Sequence, residues 1–179
     1  MNRDSVRVVF TVSNSLFGRA IRWFTSSKYS HVYLEFPVWG RRMALESTVG
    51  GTNVVVAERA RCAVVAEFEI PGGDVANRAG LLAVASLFGT AYDYAGVLFL
   101  AWMGVAWKWF KTKVSKPKWS TKAAKCSEAM VYVFQALDIP DAGKLSKEMV
   151  SPQSIYDFCD AHPDNFVPVT GDTERNGHQ

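Results

Sequence analysis

Cysteine is scarce and unpatterned in this chain. Cys62, Cys126 and Cys159 are the only three in 179 residues, and they lie far apart. An odd, scattered set argues against a disulfide framework and suits a reducing compartment. No CxxC pair and no zinc spacing occurs. Histidine is equally sparse, at His31, His162 and His178. There is no phosphate loop and no HExxH, so no metal or organic cofactor is expected. The N-terminal MNRDSVRVVFTV lacks the apolar core of a signal peptide, and the expected location is cytoplasmic or phage-associated. There is no internal repeat and no clear linker.

Acidic residues are missing from one long stretch, since none occurs between Asp93 and Glu128. Within it, AGVLFLAWMGVAWKWF (95–110) is almost unbroken in its apolar character. A membrane-spanning helix needs about twenty such residues, and this run is shorter. It reads as a buried helix or hairpin. Joined to the lysines at 108, 111, 113, 116, 118, 122 and 125, it also reads as a peripheral contact with an anionic membrane. The lysine block alone reads as a solvated loop. The net charge of +3 is too mild to imply nucleic acid, and none is expected as a partner.

Hydrophobic residues make up 49% of the chain, which excludes a largely disordered protein. The length suits one domain, here residues 1–168, with 169–179 as a polar, flexible tail. VRVVFTV (6–12) reads as a strand. SNSLFGRAIRWFT (13–25) reads as a helix capped by Ser13, Asn14 or Ser15, with Leu16, Ala20, Ile21 and Phe24 on one face. SHVYLEF (30–36) alternates, with Val32, Leu34 and Phe36 one way and His31, Tyr33 and Glu35 the other. Pro37 and Gly40 then break the run. Strands are expected at 41 or 42 to 47, 52–58 and 64–70, with a turn at Gly50-Gly51 and a stop at Pro71-Gly72-Gly73. A helix is expected over 74–89, from Asp74 to Gly89. Strands and helices segregate along the chain, so the expected class is α+β.

KCSEAMVYVFQAL (125–137) carries the chemistry. Met130, Val131, Val133, Phe134 and Leu137 recur near the helical period, placing Cys126 in the first turn of a helix with one buried face. Backbone N–H groups and the helix dipole favour a thiolate there. The structural alternative is a small buried thiol filling core space. His31 starts a strand on the polar side of the alternation. His162 and His178 read as solvated loop and tail residues. A Cys–His pair needs a thiol at a helix start facing an imidazole fixed on β structure, and the pair lowers the thiol pKa. A third group orients the imidazole. Glu46, on the neighbouring strand, is the first choice. Glu35 shares the His31 face two pleats, or four residues, along the same strand, which is a longer reach, and it ranks second. The structural alternative for each carboxylate is a surface group.

The order YSHVYLEF, LES followed by GG, GTAYDYAGV, KCSEAMVYVFQAL and SPQSIYDF resembles the circularly permuted papain-like hydrolases. These are the YiiX-like relatives of the NlpC peptidoglycan peptidases and of lecithin retinol acyltransferase. The resemblance covers most of residues 5–160. It implies an antiparallel sheet packed against helices, with His31 as base on a strand and Cys126 as nucleophile opening a later helix. Glu46 takes the orienting place, although the family varies in that residue. Tyr92, in AYDY, falls where such enzymes often carry a pocket tyrosine, and it joins Glu35 as a candidate substrate contact. The insert at 95–125 is longer than compact members need.

The implied function is hydrolysis of an amide, in a peptidoglycan-type peptide or an isopeptide, through a thioacyl-enzyme. One alternative keeps the machinery but acts on a lipid acyl ester or thioester at a membrane. Another is a non-catalytic binding or structural module that keeps the fold.

Overall fold

The computed structural model describes residues 5–48, 51–60, 63–72, 126–145 and 150–169. The expected helix at 74–89, the run at 95–110 and the lysine block to 125 lie outside these residues. The described elements are β1 (Val6–Thr11), α1 (Leu16–Thr25), β2 (His31–Val38), β3 (Arg41–Thr48), β4 (Gly51–Val56), α2 (Ala57–Ala60), β5 (Val64–Ile70), α3 (Cys126–Ala136), a 3₁₀ turn (Ala142–Lys144), α4 (Pro152–Ala161) and β6 (Val167–Pro168). The class is α+β. The strands form one antiparallel sheet in the order β4-β3-β2-β1-β5-β6.

Alternation along the strands gives the sheet two different faces. Val6, Val8 and Phe10 of β1 join Val32, Leu34 and Phe36 of β2, Leu45 of β3, and Phe68 and Ile70 of β5. Against them pack Met130, Val133 and Phe134 of α3 and Ile155, Phe158 and Cys159 of α4. The other face holds a smaller apolar cluster, Val9, Tyr33 and Ala44, with Ala57 and Ala60 of α2. β1 is buried at every position. Phe10 is the hinge of an aromatic group, with ring centroids 5.1 Å from Tyr29, 5.5 Å from Tyr156 and 6.0 Å from Phe68.

Three local expectations are corrected. β2 runs through Pro37 to Val38, and the break comes at Trp39-Gly40, both with positive φ. Pro37 is tolerated because β1 begins at Val6 and pairs with β2 only as far as Glu35, so no ladder bond is lost on that side. Val38 pairs with Arg41 across a two-residue turn of the kind that matches strand twist. β4 ends at Val56, because Ala57 and Ala60 turn into α2 and cover the second face. Gly51 is not the turn but the first residue of β4, paired with Thr48.

The third correction concerns α1. Leu16 is 84% exposed and does not join a buried face. Ser15 is the cap, its Oγ accepting from Gly18 N–H at 3.1 Å. Gly18 is buried, and a Cβ there would sit 2.7 Å from Ser13 Cβ and Ser13 O. That close approach needs glycine. Gly18 is buried, whereas Leu16, Arg19 and Trp23 are exposed.

Charges are also buried. Arg7 is 1% exposed and Glu35 is 0% exposed, and the β1–β2 register sets them opposite each other. Arg7 Nη1 donates to Glu67 Oε2 at 3.2 Å, and Arg42 Nε to Glu35 Oε2 at 3.0 Å. Removing one partner of a buried pair costs more than the pair contributes, because the other charge stays desolvated. Glu35→Ala should therefore destabilise the fold by about 3 kcal/mol or more. Arg42→Ala in the same background should add less than it costs alone. Urea unfolding of both single variants and the double variant measures this, and strictly additive losses would contradict the coupling.

Candidate functional site

His31 is positioned by the turn that precedes it. Ser27 Oγ donates to Tyr29 O at 2.7 Å and accepts from Tyr29 N–H at 3.0 Å. The Tyr29 ring lies 4.9 Å from Tyr156, and burial pushes its hydroxyl well above the usual range, so it stays neutral. Ser30 is buried. Its Oγ accepts from Ser13 N–H at 2.7 Å and donates to Thr11 O at 3.2 Å, joining the end of β1 to the start of β2. His31 then follows as the first residue of β2, opposite Thr11.

Cys126 opens α3, 7% exposed and outside any disulfide. The neighbouring Ser127 is buried and its Oγ donates to Val150 O at 2.8 Å. Val150 leads into α4, whose start is fixed by Ser151 and Ser154 in a reciprocal capping box with Pro152 in the first turn. One residue on, Gln153 Oε1 accepts from Lys28 N–H at 3.0 Å. The short strip Val150–Gln153 thus holds both the first turn of α3 and the turn leading to His31.

The His31 ring follows the alternation of its strand. It lies 5.9 Å from the Tyr33 ring, on the face of Tyr33 and Glu35, whereas α3 packs on the face of Val32, Leu34 and Phe36. The residue is half-buried, but its Nε2 is enclosed and has no hydrogen-bond partner among the described residues. Burial lowers its pKa to about 4, so the imidazole is neutral at pH 7. A Cys–His contact would be made around the end of the sheet, past Ser30, rather than across its face.

Glu46 lies on β3 opposite Asn53, two residues from Ala44, and so shares the sheet face of Tyr33 and His31. It is half-buried, and desolvation raises its carboxyl above the ordinary value. Burial alone shifts both groups, so neither group's charge offsets the other's. Glu35 accepts from Arg42, and Tyr33 Oη lies 3.5 Å from its Oε1, so its carboxylate is engaged within the sheet. Tyr92 lies outside the described residues. Among the described residues, no cluster of three His, Cys, Asp or Glu could hold a metal ion. Cys159 is buried within α4, where burial pushes its thiol far up and leaves it inert. His162 caps α4, with Nδ1 2.8 Å from Phe158 O and its ring tilted by 31° at 4.2 Å from that of Phe158.

The buried histidine sets the pH dependence of stability. The unfolded chain takes up a proton near pH 6.5, which the folded state refuses down to about pH 4. The contribution of neutral His31 is therefore complete above about pH 6.5 and is lost as pH falls, by up to about 3 kcal/mol at pH 4. Subtracting the urea stability of His31→Gln from that of wild type, pH by pH, should isolate this slope. A flat difference between pH 7 and 4.5 would contradict it. Glu46 acts with the opposite sign. Its raised pKa gives stability that is present below about pH 4.3 and lost as pH rises through the folded value. Glu46→Gln should raise the urea midpoint at pH 7, with the gain vanishing near pH 4; a lowered midpoint at pH 7 would show that the ionised carboxylate is stabilised by contacts.

In comparisons with known proteins, no protein-family model matches the chain and no curated protein matches it in sequence.

Proposed function

We propose that the chain is a cysteine hydrolase of the permuted papain-like kind, with Cys126 as nucleophile and His31 as its base. The observation that carries this reading is the shared strip at Val150–Gln153. It accepts a hydrogen bond from Ser127, next to Cys126, and another from Lys28, in the turn that leads to His31. Burial keeps the His31 imidazole neutral, which is the form a base requires.

In the proposed reaction His31 takes the Cys126 proton, and the thiolate adds to a substrate carbonyl. Backbone N–H groups at the start of α3 stabilise the oxyanion. The imidazolium returns its proton to the departing amine, leaving a thioacyl-enzyme. Water, deprotonated by the same imidazole, then releases the acid and restores the thiol. Glu46, on the His31 face, is the proposed orienting residue. An amide is the first substrate class. A lipid ester or thioester uses the same steps, and stimulation of turnover by liposomes would identify it.

A non-catalytic module is the second reading, and one observation favours it: the His31 ring lies with Tyr33 on the face away from α3. The pH profile of Cys126 alkylation by iodoacetamide, read on its own peptide by mass spectrometry, separates the two. The hydrolase reading expects a thiolate titrating well below about 8.5 in wild type and returning towards that value in His31→Ala. An ordinary titration in both proteins would overturn it. With a working substrate, Cys126→Ala should lower turnover at least about a thousandfold while the fold is kept, and Glu46→Gln should cost less than His31→Ala.

A further inference from the structure

The hairpin joining β2 to β3 turns at Trp39 and Gly40, with Val38 and Arg41 paired across it. Trp39 is 99% exposed, so its ring stands in water. Its φ is +47° and that of Gly40 is +74°. Both lie in the left-handed region, which asparagine and glycine adopt readily in such two-residue turns and which strains a bulky side chain. A scattered apolar residue on a surface is ordinary. A tryptophan that gains no packing and also strains its turn is not, because folding alone would favour asparagine at that position. The charge beside it is of one sign. No acidic residue occurs between Glu35 and Glu46, and the buried Glu35 is paired with Arg42. Arg41, next to the tip, is exposed.

We propose that this hairpin tip docks on an anionic phospholipid surface, with the Trp39 ring at the headgroup boundary and the Arg41 guanidinium on phosphate. Tryptophan favours that boundary, because its indole N–H stays wet while the rest of the ring leaves water. Arginine adds the attraction to anionic lipid. The tip projects and is only two residues wide, so it suits a soft surface that yields around one ring. A second copy is a poor occupant, because a twofold contact through the tip sets Arg41 against Arg41. The inference does not depend on the hydrolase reading. His31 begins the strand that Val38 ends, about 23 Å away at roughly 3.3 Å per residue, so the tip and the proposed base lie at opposite ends of β2.

Sedimentation of the full chain with vesicles tests it, using phosphatidylcholine alone and phosphatidylcholine with about one-third phosphatidylglycerol. Binding is expected only to the anionic vesicles and should weaken with salt. Trp39→Asn should weaken it at least about fivefold and, without lipid, raise the urea midpoint. Arg41→Gln should weaken it about fivefold. The opposite signs of the Trp39→Asn effects separate a docking residue from a structural one. The proposal is overturned if wild type fails to bind anionic vesicles, or if either variant binds as wild type does. A lowered urea midpoint in Trp39→Asn would overturn it too, by showing that the ring is packed. Binding lost only on replacing the lysines at 111–125 by glutamine would assign the contact elsewhere. A lipid-free dimer that requires Trp39, seen by sedimentation equilibrium, would make a second copy the occupant.

Discussion

Strand β2 is buried on both faces, so its register with β1 and β3 cannot slip by one residue without placing Glu35 among Phe10, Phe68 and Met130. That constraint reaches most of the molecule. It sets Arg7 beside Glu35 and brings Arg42 to the same carboxylate. It gives α3 and α4 an apolar surface and leaves α2 a narrower one. It also decides which way His31 faces, since the ring must share the side of Tyr33. The buried charges reinforce the choice, because a shifted strand would strand Arg7 and Glu35 away from their partners.

The end of the sheet where β2 begins, and the first turn of α3, are held by short hydrogen bonds alongside the packing of Tyr29 against Phe10 and Tyr156. Ser27, Ser30, Ser127 and Gln153 each satisfy backbone groups that the bends at that end would otherwise leave open. Such short polar ties fix position without filling space.

Much of the fold was legible in local patterns. The two-residue alternation of HVYLEF separated the two faces of β2 correctly, and the helical period after Cys126 placed the start of α3. Legibility failed where the deciding contact was distant or steric. Pro37 reads as a breaker unless the starting point of β1 is known. Leu16 reads as a core residue by its spacing, yet it is exposed in the folded chain. Lys28 and Gln153 are 125 residues apart, and no period links them. At the candidate site the residue types that can do chemistry could be named from the sequence. Which layer each face of the sheet would meet could not, because alternation orders side chains on a strand without saying what packs above them.

The order of the strands has a consequence for how the protein is made. β2, β3 and β4 are consecutive neighbours joined by short turns, so this meander can form from local contacts soon after it leaves the ribosome. Its Val32, Leu34 and Phe36 surface is covered by α3 and α4, which begin at residues 126 and 152. Among the described residues, the helices that cover this face are therefore made after the strands that form it. The interval between them is when a chaperone would be most needed and when aggregation competes with folding.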